Sequence, residues 1–390
     1  MLFLLMLLYL CKKSLTCLEL IFMGFYLNLV SGDTKSKLDD IVSISHFDFK
    51  ANLNLMLIIG PMGSGKTEYA AKIYKDSLII KNKSSKVLDP ITKGRRNRAN
   101  IFFIRNILDK KRFKDYPKNV IPYRGGGSDR IDGVDFAGNS FDVGQLIDDN
   151  PEYGTFIIDE TCFYDERLVF ILNKIALDSN VLFILPTLLY NFRKEIFNNT
   201  AKLLIEYSDK ICRLGAYCEH VNCMDESFLT YRYYFYKGEE IAAPYFDPLL
   251  IVGGDEIVES AIYPNYATRC SRHHYLVGRE YFFTILKPFA LLYTQGDKKL
   301  LEREIMDLSS NVRNSNFENS LLIESRGRCD ISVLENLLGL PFLAERALIT
   351  LSLECNILSK GDLKELIDKF SLSKDYIQKV IVSKEYQWIF

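Results

Sequence analysis

The segment Gly60-Pro61-Met62-Gly63-Ser64-Gly65-Lys66-Thr67 fits the pattern G-x-x-x-x-G-K-[ST] in full. Residues of these types at this spacing can cradle a triphosphate. Its oxygens are strongly anionic, and backbone N–H groups converge on them only where the chain turns sharply. Gly60, Gly63 and Gly65 carry no Cβ and permit that turn. A helix starting at the lysine adds partial positive charge at its N-terminus. In this pattern Lys66 reaches the β- and γ-phosphates and the Thr67 hydroxyl sits on Mg²⁺. The flanks suit the motif: the largely apolar run Leu53 to Ile59 reads as a strand, and Thr67 to Tyr74 as a helix.

Two further groups of residues could do chemistry. Asp159-Glu160 follows the apolar run Phe156-Ile157-Ile158. An acidic side chain at such a strand end can hold Mg²⁺, directly or through water, opposite a phosphate loop. The pair points to phosphoryl chemistry without naming an acceptor. Cys218, Cys223 and Cys270 lie near His220, His273 and His274, which are three of only four histidines. The cysteine total of nine is odd and irregularly spaced, which argues against a disulfide framework. Clustering with histidine argues for a metal.

These residues need a scaffold. A chain of 390 residues is long enough for two or three domains, and 48% apolar with 25% charged content is ordinary for a globular protein. The net charge of −1 provides no global basic field, so nucleic acid is not an expected partner. A local basic cluster, Lys81, Lys83, Lys86, Lys93, Arg95, Arg96 and Arg98, reads as a solvated insertion over residues 77–99.

Within the first fifty residues, Met1 to Leu10 and Leu15 to Val30 are apolar, with Lys12 and Lys13 between them. Positive charge after the apolar run is the wrong order for a signal peptide. Glu19 interrupts the second stretch, and neither reaches the length of an uninterrupted span. A membrane anchor and a downstream start at Met23 both stay open, although a membrane is not the expected partner. The expected location is the cytoplasm.

Along the core, strands alternate with helices: Leu53–Ile59, Ile101–Ile104, Phe156–Ile158 and Val181–Leu185 are strands, and Leu168–Leu177 is a helix. Continuous apolar strands of this kind imply an α/β fold, with a mostly parallel sheet and helices on both faces. Ligands then bind at the carboxyl ends of strands, where Gly60, Asp159 and Pro186 fall. The expected organisation is an N-terminal extension over 1–50 and a phosphate-loop core over 51–210. A small β-rich lobe over 211–280 and a helical region over 281–390 follow, with amphipathic runs at Gly361–Phe370 and Asp375–Val382.

The acceptor comes from a wider resemblance. Gly60 to Glu68 resembles the phosphate loop of the type II (cellular-type) thymidine kinases, which commonly reads G-P-M-F-S-G-K-[ST]. Asp159-Glu-Thr-Cys-Phe163 resembles the family's D-E-[AG]-Q-F, and Phe192 to Phe197 resembles F-R-x-E-P-F. Arg213 to Cys218 resembles the run into the first zinc cysteine, and Phe228 to Arg232 resembles [FY]-T-x-R. Ile251 to Gly254 and Tyr266 to His273 resemble I-G-G and Y-x-x-x-C-x-x-[CH]. The motifs keep the family's order from about Met56 to Tyr275, which is more specific than any one of them.

The resemblance implies a kinase that transfers the γ-phosphoryl of ATP to the 5′-hydroxyl of thymidine or deoxyuridine, in nucleoside salvage for DNA synthesis. Glu160 would be the general base. Met62, Phe163, Phe192 and Tyr266 would wall the base pocket. A lasso-like loop over about Asp225 to Tyr266, with Thr230 and Arg232 near its start, would close over the nucleoside. Cys218 with Cys223, and Cys270 with His273, would hold a structural Zn²⁺, since thiolate and imidazole suit a tetrahedral site. His220 and His274 stay open as rival ligands, because Cys-x₄-Cys replaces the usual Cys-x₂-Cys. Members commonly form tetramers, so a homo-oligomer is expected.

Several positions depart from the family pattern. Thr161-Cys162 replaces the Ala-Gln of D-E-A-Q-F, and Asp109-Lys-Lys-Arg112-Phe113 is a longer echo of D-x-R-[YF]. Leu188-Leu189 replaces Leu-Asp, and the terminal extensions lack counterparts. Two other readings stay open: a nucleic-acid-stimulated ATPase with a zinc lobe, and a non-catalytic nucleotide-binding relative.

Overall fold

A computed structural model describes residues 46–124, 126–249, 257–324 and 332–388. The N-terminal apolar stretches, and the Ile251–Gly254 motif, lie outside the described residues. Contacts separate Met1–Phe47 from Asp48–Phe390, and the fold below is that of the second unit.

The strands, in chain order, are β1 (Leu55–Ile59), β2 (Thr92–Lys93), β3 (Arg96–Asn106), β4 (Val120–Pro122), β5 (Ser128–Arg130), β6 (Val134–Ala137), β7 (Tyr153–Ile158), β8 (Leu182–Thr187) and β9 (Lys210–Arg213). A sheet runs β2-β3-β7-β8-β1-β9, with β6 beside β3, and every pairing except β2–β3 is parallel. All five residues of β1 and all six of β8 are buried, as expected for parallel strands covered on both faces. Leu55, Leu57, Phe156, Ile158, Phe183 and Leu185 pack with helices 140–149, 167–178 and 199–207. Helix Lys66–Lys81 contacts β3 and β8 and buries Ala70, Ala71, Ile73 and Tyr74. The fold class is the one expected.

The element bounds differ from expectation where charged residues find buried partners. The first helix continues to Lys81, and β3 begins at Arg96. Residues 96–98 therefore belong to the sheet rather than to a solvated insertion. Arg96 donates to the Tyr153 carbonyl (3.0 Å), and Arg98 to the Ala51 carbonyl (2.9 Å) and Asn54 Oδ1 (3.0 Å). Lys210–Arg213 is the outer strand of the sheet, parallel to β1. Its register is pinned by the Asp209 carboxylate, which accepts the amides of Asn54 and Leu55.

Beyond it come β10 (Ala216–Tyr217), β11 (Glu226–Ser227), β12 (Leu229–Tyr236), β13 (Glu239–Ala242) and β14 (Ser260–Arg269). They form a β10–β11 pair and a three-stranded β13-β12-β14 sheet. The C-terminal region is helical, including Lys299–Ser310, Lys360–Lys369 and Lys374–Trp388. Tyr231, Tyr234 and Phe246 of the lobe share one hydrophobic core with Tyr281, Phe317, Leu348 and Leu366. A boundary drawn at residue 280 therefore passes through packed side chains.

Candidate active site and metal centre

Strand β8 separates β1 from β7, so the loop after β1 and the acidic pair after β7 emerge at the same end of the sheet. A Cβ on Gly60 would lie 2.3 Å from Ser64 Oγ and 2.7 Å from the Leu214 carbonyl, so the turn requires glycine there. Gly65 adopts φ 78° at the start of the helix. Lys66 is 8% exposed, and its Nζ donates to the carbonyls of Pro61 (2.8 Å) and Gly60 (3.1 Å). Burial lowers its pKa despite Glu160 and Asp159 nearby. Thr67 Oγ1 donates to Asp159 Oδ2 at 3.0 Å. A hydroxyl and a carboxylate brought together supply the hard oxygen ligands that suit Mg²⁺.

Glu160 sits at φ 52°, a left-handed conformation that costs a non-glycine residue and persists only where the surroundings enforce it. Its amide donates to Asp159 Oδ1 (3.0 Å). The next residue is fixed by the Thr161 hydroxyl, which lies 3.0 Å from the carbonyls of Ile158 and Pro186. The Glu160 carboxylate pairs with Arg112 (3.6 Å), while its Oε2 is buried with no hydrogen-bond partner among the described residues. Arg112 also approaches Asp109 (3.7 Å), which pairs with Arg105 (3.4 Å). Met62, Lys66, Thr67, Asp159, Glu160 and Arg112 all line one open cleft.

Burial above all, then Glu160 and Asp109, raises the Asp159 carboxyl to about 7. Hydrogen bonds from Thr67 and the Glu160 amide pull the other way. Because the folded value exceeds the unfolded one, ionisation costs stability. That cost is absent below about pH 4, grows to about pH 7 and is constant above. Asp159→Asn is therefore expected to raise Tm at pH 8 by a few degrees, with the gain shrinking as the pH falls toward 5. Thermal melts across that range check this, and a lower Tm for the variant at pH 8 would contradict it.

The expected substrate residues fall in two places. Met62 lines the cleft, and its backbone is clamped by the lobe: its amide donates to Thr230 Oγ1 (3.3 Å), and the Thr268 hydroxyl donates to its carbonyl. Thr230 thus holds the phosphate loop. Phe163, Phe192 and Tyr266 are not among the cleft-lining side chains. Phe163 packs edge-on against Phe197, with Arg112 5.7 Å from its ring centre. Phe192 is 4% exposed within the core shared by the lobe and the C-terminal helices. The Arg232 guanidinium lies over both Phe192 (4.8 Å) and Tyr266 (5.6 Å).

The expected ligands Cys218, Cys223, Cys270 and His273 converge, with all four ligand atoms within 4.8 Å of one another. Cys223 Sγ–Cys270 Sγ is 3.8 Å, Cys218 Sγ–His273 Nδ1 is 3.6 Å and Cys270 Sγ–His273 Nδ1 is 3.3 Å. A tetrahedral zinc ion with ordinary bond lengths spaces sulfurs ~3.8 Å apart and a sulfur and a nitrogen ~3.5 Å apart. The donor set therefore fits zinc. Neither rival histidine belongs to the group: His220 stacks on His273 at 4.0 Å, and His274 Nε2 contacts the Thr230 carbonyl at 3.0 Å. Next to Cys218, the Glu219 amide donates to the Thr268 carbonyl (2.8 Å), which ties the Cys and His cluster to the strand that clamps Met62.

Sequence reasoning did not place Arg105, Asp109, Arg112 and Arg124 in the site. The echo Asp109-Lys-Lys-Arg112-Phe113 carries a signal for two of them. Arg124 has no local signature. It donates to the Tyr266 carbonyl (2.9 Å), and its guanidinium would lie 3.1 Å from a Cβ on Gly63.

No curated protein shows a significant match to this chain. The thymidine kinase family profile matches residues 79–275, just over half of the chain, and the phosphate loop stands ahead of that span. The match covers the acidic pair, the Met62 clamp strands and all four converging Cys and His ligands, and the chain belongs to the thymidine kinase family.

Proposed function

We propose that this chain transfers the γ-phosphoryl of ATP to the 5′-hydroxyl of thymidine or deoxyuridine, yielding the 5′-monophosphate for DNA precursor synthesis in the cytoplasm. The observation that carries the reading is the shared cleft. A buried lysine, a hydroxyl–carboxylate pair and a carboxylate oxygen with no donor among the described residues meet in one space. Backbone amides of Gly63, Ser64 and Gly65, together with Lys66, hold the phosphates, and Gly60, Pro61 and Met62 shape the loop that presents them. Thr67 and Asp159 would hold Mg²⁺, which would supply charge neutralisation to the phosphates.

Glu160 accepts the proton of the 5′-hydroxyl as its oxygen bonds to the γ-phosphorus, and the bond to the bridging oxygen breaks to release ADP. The transition state spreads negative charge over phosphate oxygens, so positioning and electrostatics dominate. Arg112 orients the Glu160 carboxylate. Met62 faces the pyrimidine from the cleft wall, Phe163, Phe192, Tyr266 and Arg232 stand behind the lining side chains, and Thr230 sets Met62. Cys218, Cys223, Cys270 and His273 hold a structural zinc, since protein fills all four positions. The phosphate-loop core runs through β9, the zinc lobe follows it and shares its hydrophobic core with the C-terminal helical region, and the chain assembles as a homo-oligomer, a tetramer by family likeness.

The test supplies ATP and Mg²⁺ with each of the four deoxynucleosides in turn. Thymidine should be phosphorylated with kcat/KM at least about tenfold above the purine nucleosides, because a site built around one base edge rejects others. Equal use of all four, or of none, would contradict the reading.

A further inference from the structure

The C-terminal helices reach the Phe192–Arg193 segment through Glu354, at the end of segment Thr350–Glu354. Its Oε2 accepts from Arg193 Nη2 (2.8 Å), and its Oε1 accepts the Leu249 amide (2.6 Å). The same Arg193 nitrogen donates to the Asp247 carbonyl (2.7 Å). The Asp247 carboxylate in turn accepts from the Tyr234 hydroxyl (2.9 Å) and the Arg346 guanidinium, and it forms an ion pair with Arg232, whose Nε lies 3.2 Å away. Arg232 donates to the Pro248 carbonyl (2.6 Å) and spreads over Phe192 and Tyr266. Arg193 itself lies 5.3 Å from the Phe192 ring centre.

One carboxylate from the C-terminal region therefore joins the Phe192–Arg193 segment of the core to the Asp247–Leu249 stretch of the lobe. The Glu354 and Arg193 side chains are 11% and 8% exposed, so solvent screens their pairing little. Charge-assisted bonds in such surroundings fix geometry.

We propose that Glu354 is a positioning residue for the pyrimidine nucleoside. It holds Arg193 against Phe192 and anchors Asp247–Leu249, and through them it sets the wall of Phe192, Arg232 and Tyr266. Like Phe192, Arg232 and Tyr266, it lies outside the lining of the cleft around Lys66 and Glu160; acting through that wall, it bears on nucleoside binding and leaves the phosphate chemistry to the cleft residues. The C-terminal helices are thereby part of substrate recognition. The inference rests on the pyrimidine-kinase reading of the cleft.

Steady-state kinetics of wild type, Glu354→Ala and Glu354→Gln test it. Glu354→Ala should raise KM for thymidine about tenfold, with KM for ATP and kcat within about twofold of wild type. Glu354→Gln keeps an acceptor oxygen and should recover most of the loss. If Glu354→Ala does not fold, Glu354→Gln should still raise the thymidine KM a few fold and leave that for ATP unmoved. An active wild type beside variants whose thymidine KM is unchanged, or whose two KM values rise together, overturns this inference alone. A wild type that phosphorylates no pyrimidine nucleoside overturns the reading of the site and the inference with it.

Discussion

Glu160→Gln is expected to lower kcat by about 10²–10⁴-fold while KM for ATP stays within about threefold of wild type. The amide has the same shape and still offers Arg112 an oxygen, but it cannot take a proton from the attacking hydroxyl. The carboxylate lies 3.6 Å from Arg112 and keeps a buried Oε2 with no donor among the described residues, which is the acceptor a general base needs. The phosphate cradle is built from other residues: Lys66 on the loop carbonyls and Thr67 on Asp159. Nucleotide affinity should therefore survive. Kinetics at saturating thymidine, paired with titration of a non-hydrolysable ATP analogue, separates the two effects. Turnover near the wild-type level would remove Glu160 from the base role, and lost nucleotide binding would make it part of the cradle.

The second large effect is expected at the metal centre. Cys270→Ser should lower the zinc content from about one per chain to near zero, and Tm should fall by more than about 10 °C. Structural zinc contributes ~10–16 kcal/mol of apparent binding energy in small zinc-finger peptides, because ligands that are dispersed in the unfolded chain are gathered by the ion. Here the ion would join β10, the turn at Cys223 and the end of β14. Activity should fall too, because Thr268 on β14 and Thr230 on β12 clamp the Met62 backbone within the phosphate loop. Metal analysis and thermal melts with and without a chelator check this. A variant with wild-type stability would mean that reduced cysteines merely pack together.

Contiguous features of the site were legible in the sequence. The phosphate loop is one uninterrupted segment whose glycines state their own backbone requirement, and Asp159-Glu160 follows a run too apolar to be anything but a buried strand. Cys218, Cys223, Cys270 and His273 were recognisable by residue type despite the longer first spacing. The four-residue interval is accommodated by a turn in which the Cys223 amide donates to the His220 carbonyl (3.0 Å). Chemistry alone could not rank His273 above His274. Packing decides it, since His274 is buried against the Thr230 carbonyl.

Long-range partnerships were not legible. Arg96 and Arg98 look like part of a solvated basic run until the carbonyls of Tyr153 and Ala51 are beside them. Lys210–Arg213 is short, and its exposed Ile211 resembles a loop, so its place in the sheet shows only through β1. Glu354 and Arg346 carry no local pattern, because the partners that tie them to the lobe and core, Arg193, Leu249 and Asp247, lie about a hundred residues or more away.

The most direct measurement supplies purified protein with ATP labelled in its γ-phosphoryl group, Mg²⁺ and thymidine, and follows the label. It should appear in the nucleoside 5′-monophosphate, and without thymidine very little should appear as inorganic phosphate. Label released as inorganic phosphate at the same rate with or without thymidine would contradict phosphoryl transfer to a nucleoside.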